Sequence, residues 1–391
     1  MNKLPGFGLV ERARALAPLI SREADEIERT RRLTEPVVSA LIENGFYRVL
    51  LPNSFRGTEA PLEIFMQMLE EVAKADASTA WCLGQCAVCA MTAAYLDADA
   101  AQEIFNVPPG ILAWGAIANE VQAVPGGYRA SARWNFASGM RQASWLGAHV
   151  RIIEADGSQR RRPDGSPEIR TILFPATAAT TYDVWDTIGL NGTGTDSYSV
   201  DNLFIPEKFA ALRDDPAGLR ETGPLYKLST HLTFGMGFAA VSLGVARATL
   251  DAAIDLARGK TPQGQKAMRE NNAVQGLIGR NEGNLRAARA YLYATAAEVW
   301  RDLAKPGGQL TEAHRAALRL AATWTIHQAA SVVDAAYHMA GATAVFSANK
   351  FERRFRDMHA IAQQIQGRDT HYEDVGKAIL GSQADVPASN D

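Results

Sequence analysis

The 391-residue chain has little cysteine: three residues, Cys82, Cys86 and Cys89, all within one short stretch. An odd count fits no complete disulfide framework and points to a reducing compartment. An excess of either charge is also missing. Forty Lys and Arg stand against 43 Asp and Glu, a net charge of −3, which excludes a broad basic footprint for nucleic acid. Gly235 to Ala246 is the longest near-apolar run, shorter than the roughly 20 residues that cross a bilayer. Glu11, Arg12 and Arg14 stand where a secretion signal needs its apolar stretch. These absences together lead us to expect a cytoplasmic protein with neither a membrane nor a nucleic-acid partner.

Cofactor motifs are scarce too. There is no Walker A sequence and no His-Glu-x-x-His. The glycines of Gly189–Gly194 lie between two expected strands with no helix opening after them, so they read as turn glycines and no nicotinamide-binding domain is expected. A di-iron bundle needs Glu-x-x-His pairs, yet no histidine here has a glutamate three residues before it. Cys82, Cys86 and Cys89 fall at i, i+4, i+7 without a fourth ligand, which suits small core residues better than zinc. No metal site is expected.

What the chain does have is apolar content, 47% against 21% charged, enough for a large core, and length for two or three domains. The hydrophobic period changes twice. Leu62, Phe65, Met66, Leu69 and Val72 mark one buried stripe of a helix over 62–75. Asp76 to Ser78 offers an N-cap to the nearly uncharged run 79–95, which reads as a helix buried all round. From about Ile111 the period becomes two: Tyr128, Ala130, Ala132 and Trp134 alternate with Arg129, Ser131 and Arg133, and Gly126–Gly127 supplies a turn. Helical signals return after Arg213–Pro224, over 234–256, 272–304, 311–340 and a shorter final segment. The expected class is α+β: an N-terminal helical domain (1–108), a central antiparallel β-barrel (109–212) and a C-terminal four-helix bundle (213–391) whose polar tail 382–391 frays.

Several strings, in this order, resemble the acyl-CoA dehydrogenase superfamily. They are Ile188–Thr195 ending at Phe204–Pro206, then His338–Ala342 with Gly341, then Phe351–Asp357 with its Arg-Asp pair. The resemblance spans residues 10 to 381 and implies flavin bound between barrel and bundle, usually in a homotetramer. The family's dehydrogenases place a glutamate base about nine residues after the Arg of that pair. Here that position holds Ile365 or Gln366, neither of which is a base. Gly367–His371 and Arg133–Gly139 are similar instead to the two-component flavin monooxygenases that share the fold. Those take reduced FMN or FAD from a separate NAD(P)H-dependent reductase, react it with O₂ to a C4a-hydroperoxide, and oxygenate a small aromatic substrate.

The resemblance assigns His371 to proton transfer or to hydrogen-bonding the oxygenated flavin, and places Ser138 near the flavin. Its string Trp134–Phe136–Ala137–Ser138 supplies the flavin neighbourhood, where the Ser138 hydroxyl either donates to a flavin oxygen or closes a turn with Gly139. Trp134 and Trp185 suit either barrel core or flavin neighbours. Arg258 matches an Arg that reaches flavin phosphate across a subunit boundary, and suits a solvated helix end equally. Cys89 stands where several relatives carry a histidine against the substrate, and Trp114 suits either the pocket or the core. An alternative is an acyl-CoA dehydrogenase or related flavin oxidase with its base elsewhere, Glu282 being the candidate by position.

Overall fold

The computed structural model describes residue 6 and residues 8–381; the tail 382–391, expected to fray, lies outside the described residues. Five helices come first: α1 (Leu9–Thr30), α2 (Glu35–Glu43), α3 (Leu62–Ala75), α4 (Ala77–Cys89) and α5 (Ala98–Phe105). The stripe expected on α3 is buried in full. Asp76 ends α3 and caps α4, its carboxylate accepting from the Thr79 amide and hydroxyl, each at 2.7 Å. Every residue of α4 is buried, as its lack of charge requires. The α-helix stops at Cys89, however, and 90–95 tighten into 3₁₀ turns. Asp76→Ala removes the cap, and unfolding in urea should show a loss of about 1–2 kcal/mol, most of which Asp76→Asn restores.

Eight strands form one sheet: β1 (Leu112–Trp114), β2 (Asn119–Val124), β3 (Gly127–Ala137), β4 (Trp145–Ile153), β5 (Ile169–Pro175), β6 (Thr180–Tyr182), β7 (Asp196–Pro206) and β8 (Ala210–Ala211). The alternation read along β3 holds: Tyr128, Ala130 and Trp134 face in, Arg129, Ser131 and Arg133 out. The sheet is mixed rather than wholly antiparallel. β2 and β3 form a hairpin through Gly126, but 138–144 then cross back, so β4 runs parallel to both β1 and β2. Side-chain alternation has the same period in both pairings and carries no record of strand direction.

The C-terminal helices are α6 (Thr230–Gly259), α7 (Asn272–Leu303), α8 (Glu312–Ala340), α9 (Phe351–Ala362) and α10 (Thr370–Leu380). By length and apolarity α6 could cross a bilayer, but most of it is buried between α3, α4 and α8 as a core helix. The expected final helix is two, α9 and α10, divided by a 3₁₀ turn at Ile365–Gly367. A side chain at Gly367 would meet the Ala362 carbonyl at 2.5 Å, so the chain reverses tightly there. His327 on α8 pins the reversal, with Nε2 2.8 Å from the Gly367 carbonyl and Nδ1 2.9 Å from the Tyr372 hydroxyl.

Candidate active site

His371 is the second residue of α10, not part of a polar run beyond the helices, and it is only 9% exposed. With Val375 it makes the buried i, i+4 stripe of that helix. Its Nδ1 lies 2.8 Å from the Thr323 hydroxyl of α8. Thr323 has one proton, and donates it to the Gln366 carbonyl at 2.8 Å. The imidazole must therefore be the donor to Thr323, which leaves Nδ1 protonated and Nε2 a lone-pair acceptor. Burial, with the positive charges of Arg319 and His231 behind it, lowers the His371 pKa to about 4. At neutral pH the group is an uncharged acceptor.

Beside it lies a cavity of about 10 Å³, walled by His371, Thr323, Gln366, His231, Arg319 and Gly235 together with apolar side chains of α6 and α8. The Gln366 side-chain oxygen is buried and has no hydrogen-bond partner. So the position where the family's dehydrogenases carry their base presents an amide, next to a neutral histidine. Ile365 turns partly outward, 37% exposed. Glu282, the alternative base, is clamped by Arg247 and Arg286, each at 2.6 Å, which hold its carboxyl below the usual range. It is a surface ion pair, not a base awaiting a proton.

The first turns of α6 connect this cavity to the sheet. His231 and Gly235 face the cavity, while Phe234 meets Trp114 edge-on at 6.2 Å and Phe238 stacks on Trp81 at 3.7 Å. Trp114 also lies edge-on to His149, and the Arg213 guanidinium sits over its ring. Burial and Arg213 hold His149 neutral. Cys89 lies beside the Trp114 backbone, fully buried, accepting weakly from Gln85, with burial pushing its thiol well up. Cys82 and Cys86 instead donate weakly to the carbonyls of Thr193 and Gly139. A side chain on Gly139 would approach the Cys86 sulfur at 2.5 Å, so small residues on α4 let the turn after β3 dock. No group of three or more potential metal ligands occurs among the described residues.

Ser138 sits in that turn, buried. It accepts from the Trp81 indole at 3.1 Å and lies 2.7 Å from Thr195, which lies 2.7 Å from Thr193, which donates to the Leu190 carbonyl. That terminal carbonyl fixes every proton: Thr193 donates to it, Thr195 to Thr193, and Ser138 to Thr195. In this arrangement the Ser138 proton points inward, and the donor role expected toward a flavin oxygen is not open to it. Trp134 is fully buried, donates to the His149 carbonyl and stacks on Tyr198, so its place is the core against the sheet. Ala137 is fully buried.

Phe136 is different. It lies at a register break between β3 and β7, with φ of 62° and 58% of its surface exposed. A bulky residue in the left-handed region is strained, and such strain collects at functional positions. Ala116 and Ile117, also exposed, run beside it, the Ala116 amide donating to the Asn135 carbonyl. Half-buried Trp185 closes the other side, its backbone amide donating to Asp196, the partner of Ala137. Phe136, Ile117 and Trp185 are the apolar side chains here that could hold a flat ring.

Arg258 and Gly341 are not at this site within one chain. Arg258 is at the opposite end of α6 from His231, about 40 Å by helical rise, exposed and paired with Asp255 at 2.9 Å. Gly341 ends α8 with φ of 58°, near Lys260, which bonds the Ala340 carbonyl. Sequence reasoning missed Thr323, His231 and His327. The one available signal was Thr323 and His327 at i, i+4 on a helix otherwise read as core.

The fold is acyl-CoA dehydrogenase-like: helices, a central sheet, then helices, with the cavity beside His371 among the C-terminal helices. Residues 236–367 match the family "Acyl-CoA dehydrogenase, C-terminal domain". The indole-3-acetate monooxygenase of Pseudomonas putida is 28% identical over 364 residues, covering 92% of this chain and 90% of that one. The flavin-dependent monooxygenase oxygenase subunit HsaA of Rhodococcus jostii is 27% identical over 364 residues, covering 90% and 92%. XiaF from a Streptomyces species, solved with FADH2 and glycerol, superposes with a TM-score of 0.87 at 22% identity over 98% of this chain and 97% of that one. The C-terminal half of the chain is thus similar to the acyl-CoA dehydrogenase C-terminal domain, and both relatives are named as monooxygenases.

Proposed function

We propose that this protein is the oxygenase component of a two-component flavin-dependent monooxygenase acting on an aromatic or heteroaromatic ring of the phenol, indole or sulfur-heterocycle type. The observation that carries the reading is the neutral His371 beside Gln366, where a dehydrogenase needs a carboxylate. The names of the end-to-end relatives support the same class and make an indole the first ring to test. Reduced FMN or FAD, when bound, supplies the electrons with which O₂ is activated. The chain's own residues do the rest. Phe136, Ile117 and Trp185 bind the flat cofactor, and Trp81, Trp114, Phe234 and Phe238 form a dry aromatic wall that excludes water. His371 Nε2 accepts the proton that the ring sheds at the oxygenated carbon.

The reading includes assembly as a homotetramer, with Arg258 and its neighbours serving the flavin of another subunit, and a cytoplasmic location. Light scattering at micromolar concentration should give four chains, and a monomer with full flavin affinity counts against that assembly. The central test is cofactor supply. Pure protein with NADH and free flavin should oxidise no NADH above background, and product should appear when an unrelated NADH-flavin reductase is added. Robust NADH oxidation by the chain alone overturns the two-component reading.

A further inference from the structure

We propose that Gln366 and His371 hold one water molecule between them, through which the substrate's proton reaches His371, so that Gln366 is a positioning residue of the site. The inference deepens the oxygenase reading and rests on it. The cavity beside His371, about 10 Å³, is close to the least volume that admits a single water. Two of the residues that line it carry an acceptor to which no protein donor is directed. One is the side-chain oxygen of Gln366, itself only 6% exposed. The other is His371 Nε2, since Nδ1 is committed to Thr323. A water has two protons, one for each. Thr323 cannot compete for them, because its hydroxyl already bridges Gln366 and His371. A buried amide oxygen left without a donor is costly, and a bound water removes that cost.

The relay is a balanced proton step with no change of oxidation state. As the oxygenated carbon regains its aromatic ring, its C–H bond breaks and the electron pair stays with the ring. The proton joins the water oxygen, one original water proton moves to Nε2, and the water is restored. The proton from such a carbon is strongly acidic, so a weakly basic imidazole suffices. The other charged groups facing His371 are His231 from α6, Arg319 from α8 and Asp374 from its own helix. The two from α6 and α8 oppose the imidazolium, which favours prompt return of the proton to solvent.

Gly235 gives the cleanest test. A methyl there would stand 3.4 Å from Gln366 Cγ and 3.6 Å from Ala322, inside the cavity. Gly235→Ala should therefore expel the water, while the gain in helix propensity keeps or raises the melting temperature. With reductase-fed flavin and an indole probe, product per O₂ consumed should fall about tenfold or more, as should that of Gln366→Leu. Gln366→Glu, which keeps an acceptor, should retain the coupling and move the acid limb of the pH profile upward by stabilising the imidazolium. A crystal structure of the flavin-free protein should show one ordered water within hydrogen-bond distance of Gln366 and His371, absent in Gly235→Ala. Unchanged coupling in a folded Gly235→Ala protein, or a wild-type cavity without that water, overturns the proposal. If the wild type oxygenates no aromatic probe, the oxygenase reading fails, while the crystal structure still decides the water.

Discussion

His371→Ala is expected to lower product formation about 10²–10⁴-fold, the usual loss for a proton-transfer group, while O₂ consumption continues and appears as hydrogen peroxide. The protein should fold and assemble normally. Thr323 keeps its bond to the Gln366 carbonyl, and removing a neutral imidazole leaves no charge unpaired. The pH profile supplies a second check. His371 titrates near 4, so the acceptor stays available down to about pH 5, and its acid limb lies near 4 rather than near the ordinary histidine value of 6.5. Full coupling in the variant, or loss of the folded assembly, would reassign His371 to structure.

Gly189→Ala should be strongly destabilising. A Cβ there would lie 2.2 Å from the Arg356 carbonyl and 2.8 Å from the Asp357 amide, both backbone atoms of α9 that cannot swing aside. The loop must retreat, and the Leu190 amide then loses the Asp357 carboxyl that it meets at 2.7 Å. That carboxyl is buried, and burial lifts its pKa to about 7. Overpacking and the lost buried hydrogen bond together predict a loss of about 2–4 kcal/mol, read from the midpoint of denaturant unfolding. A midpoint within error of wild type would show slack between loop and helix that the geometry denies.

The same loop shows how far residue types carry. Its glycines were legible as turn formers, and none opens a nucleotide-binding helix. Their reason is close approach, which no local pattern records. Gly189 lies against α9, while Gly192 lies where a Cβ would meet Ile27 of α1 at 2.2 Å and Ser78 of α4 at 2.9 Å. Arg353 and Arg356 of α9 pair with Asp25 and Glu28 of α1, at 2.7 and 2.9 Å. The loop and α9 clasp the first helices, the sheet and the bundle together.

By itself the sequence determined the helix–sheet–helix order, because period 3.6 and period 2 burial patterns are local and need no partner to be read. Residue types at spacings led equally to the expectation of no dinucleotide fold, and the resemblance to the expectation that the dehydrogenase base is missing. Tertiary structure alone decided the direction of β4, the split of the last helix, and the protonation of the site. Strand direction depends on how 138–144 cross, and the split on a carbonyl that Gly367 must pass. The tautomer of His371 and the inward proton of Ser138 follow from carbonyls at Gln366 and Leu190, at the ends of hydrogen-bond chains joining residues far apart in sequence. A proton's place is set by its last acceptor, and only the fold brings that acceptor near.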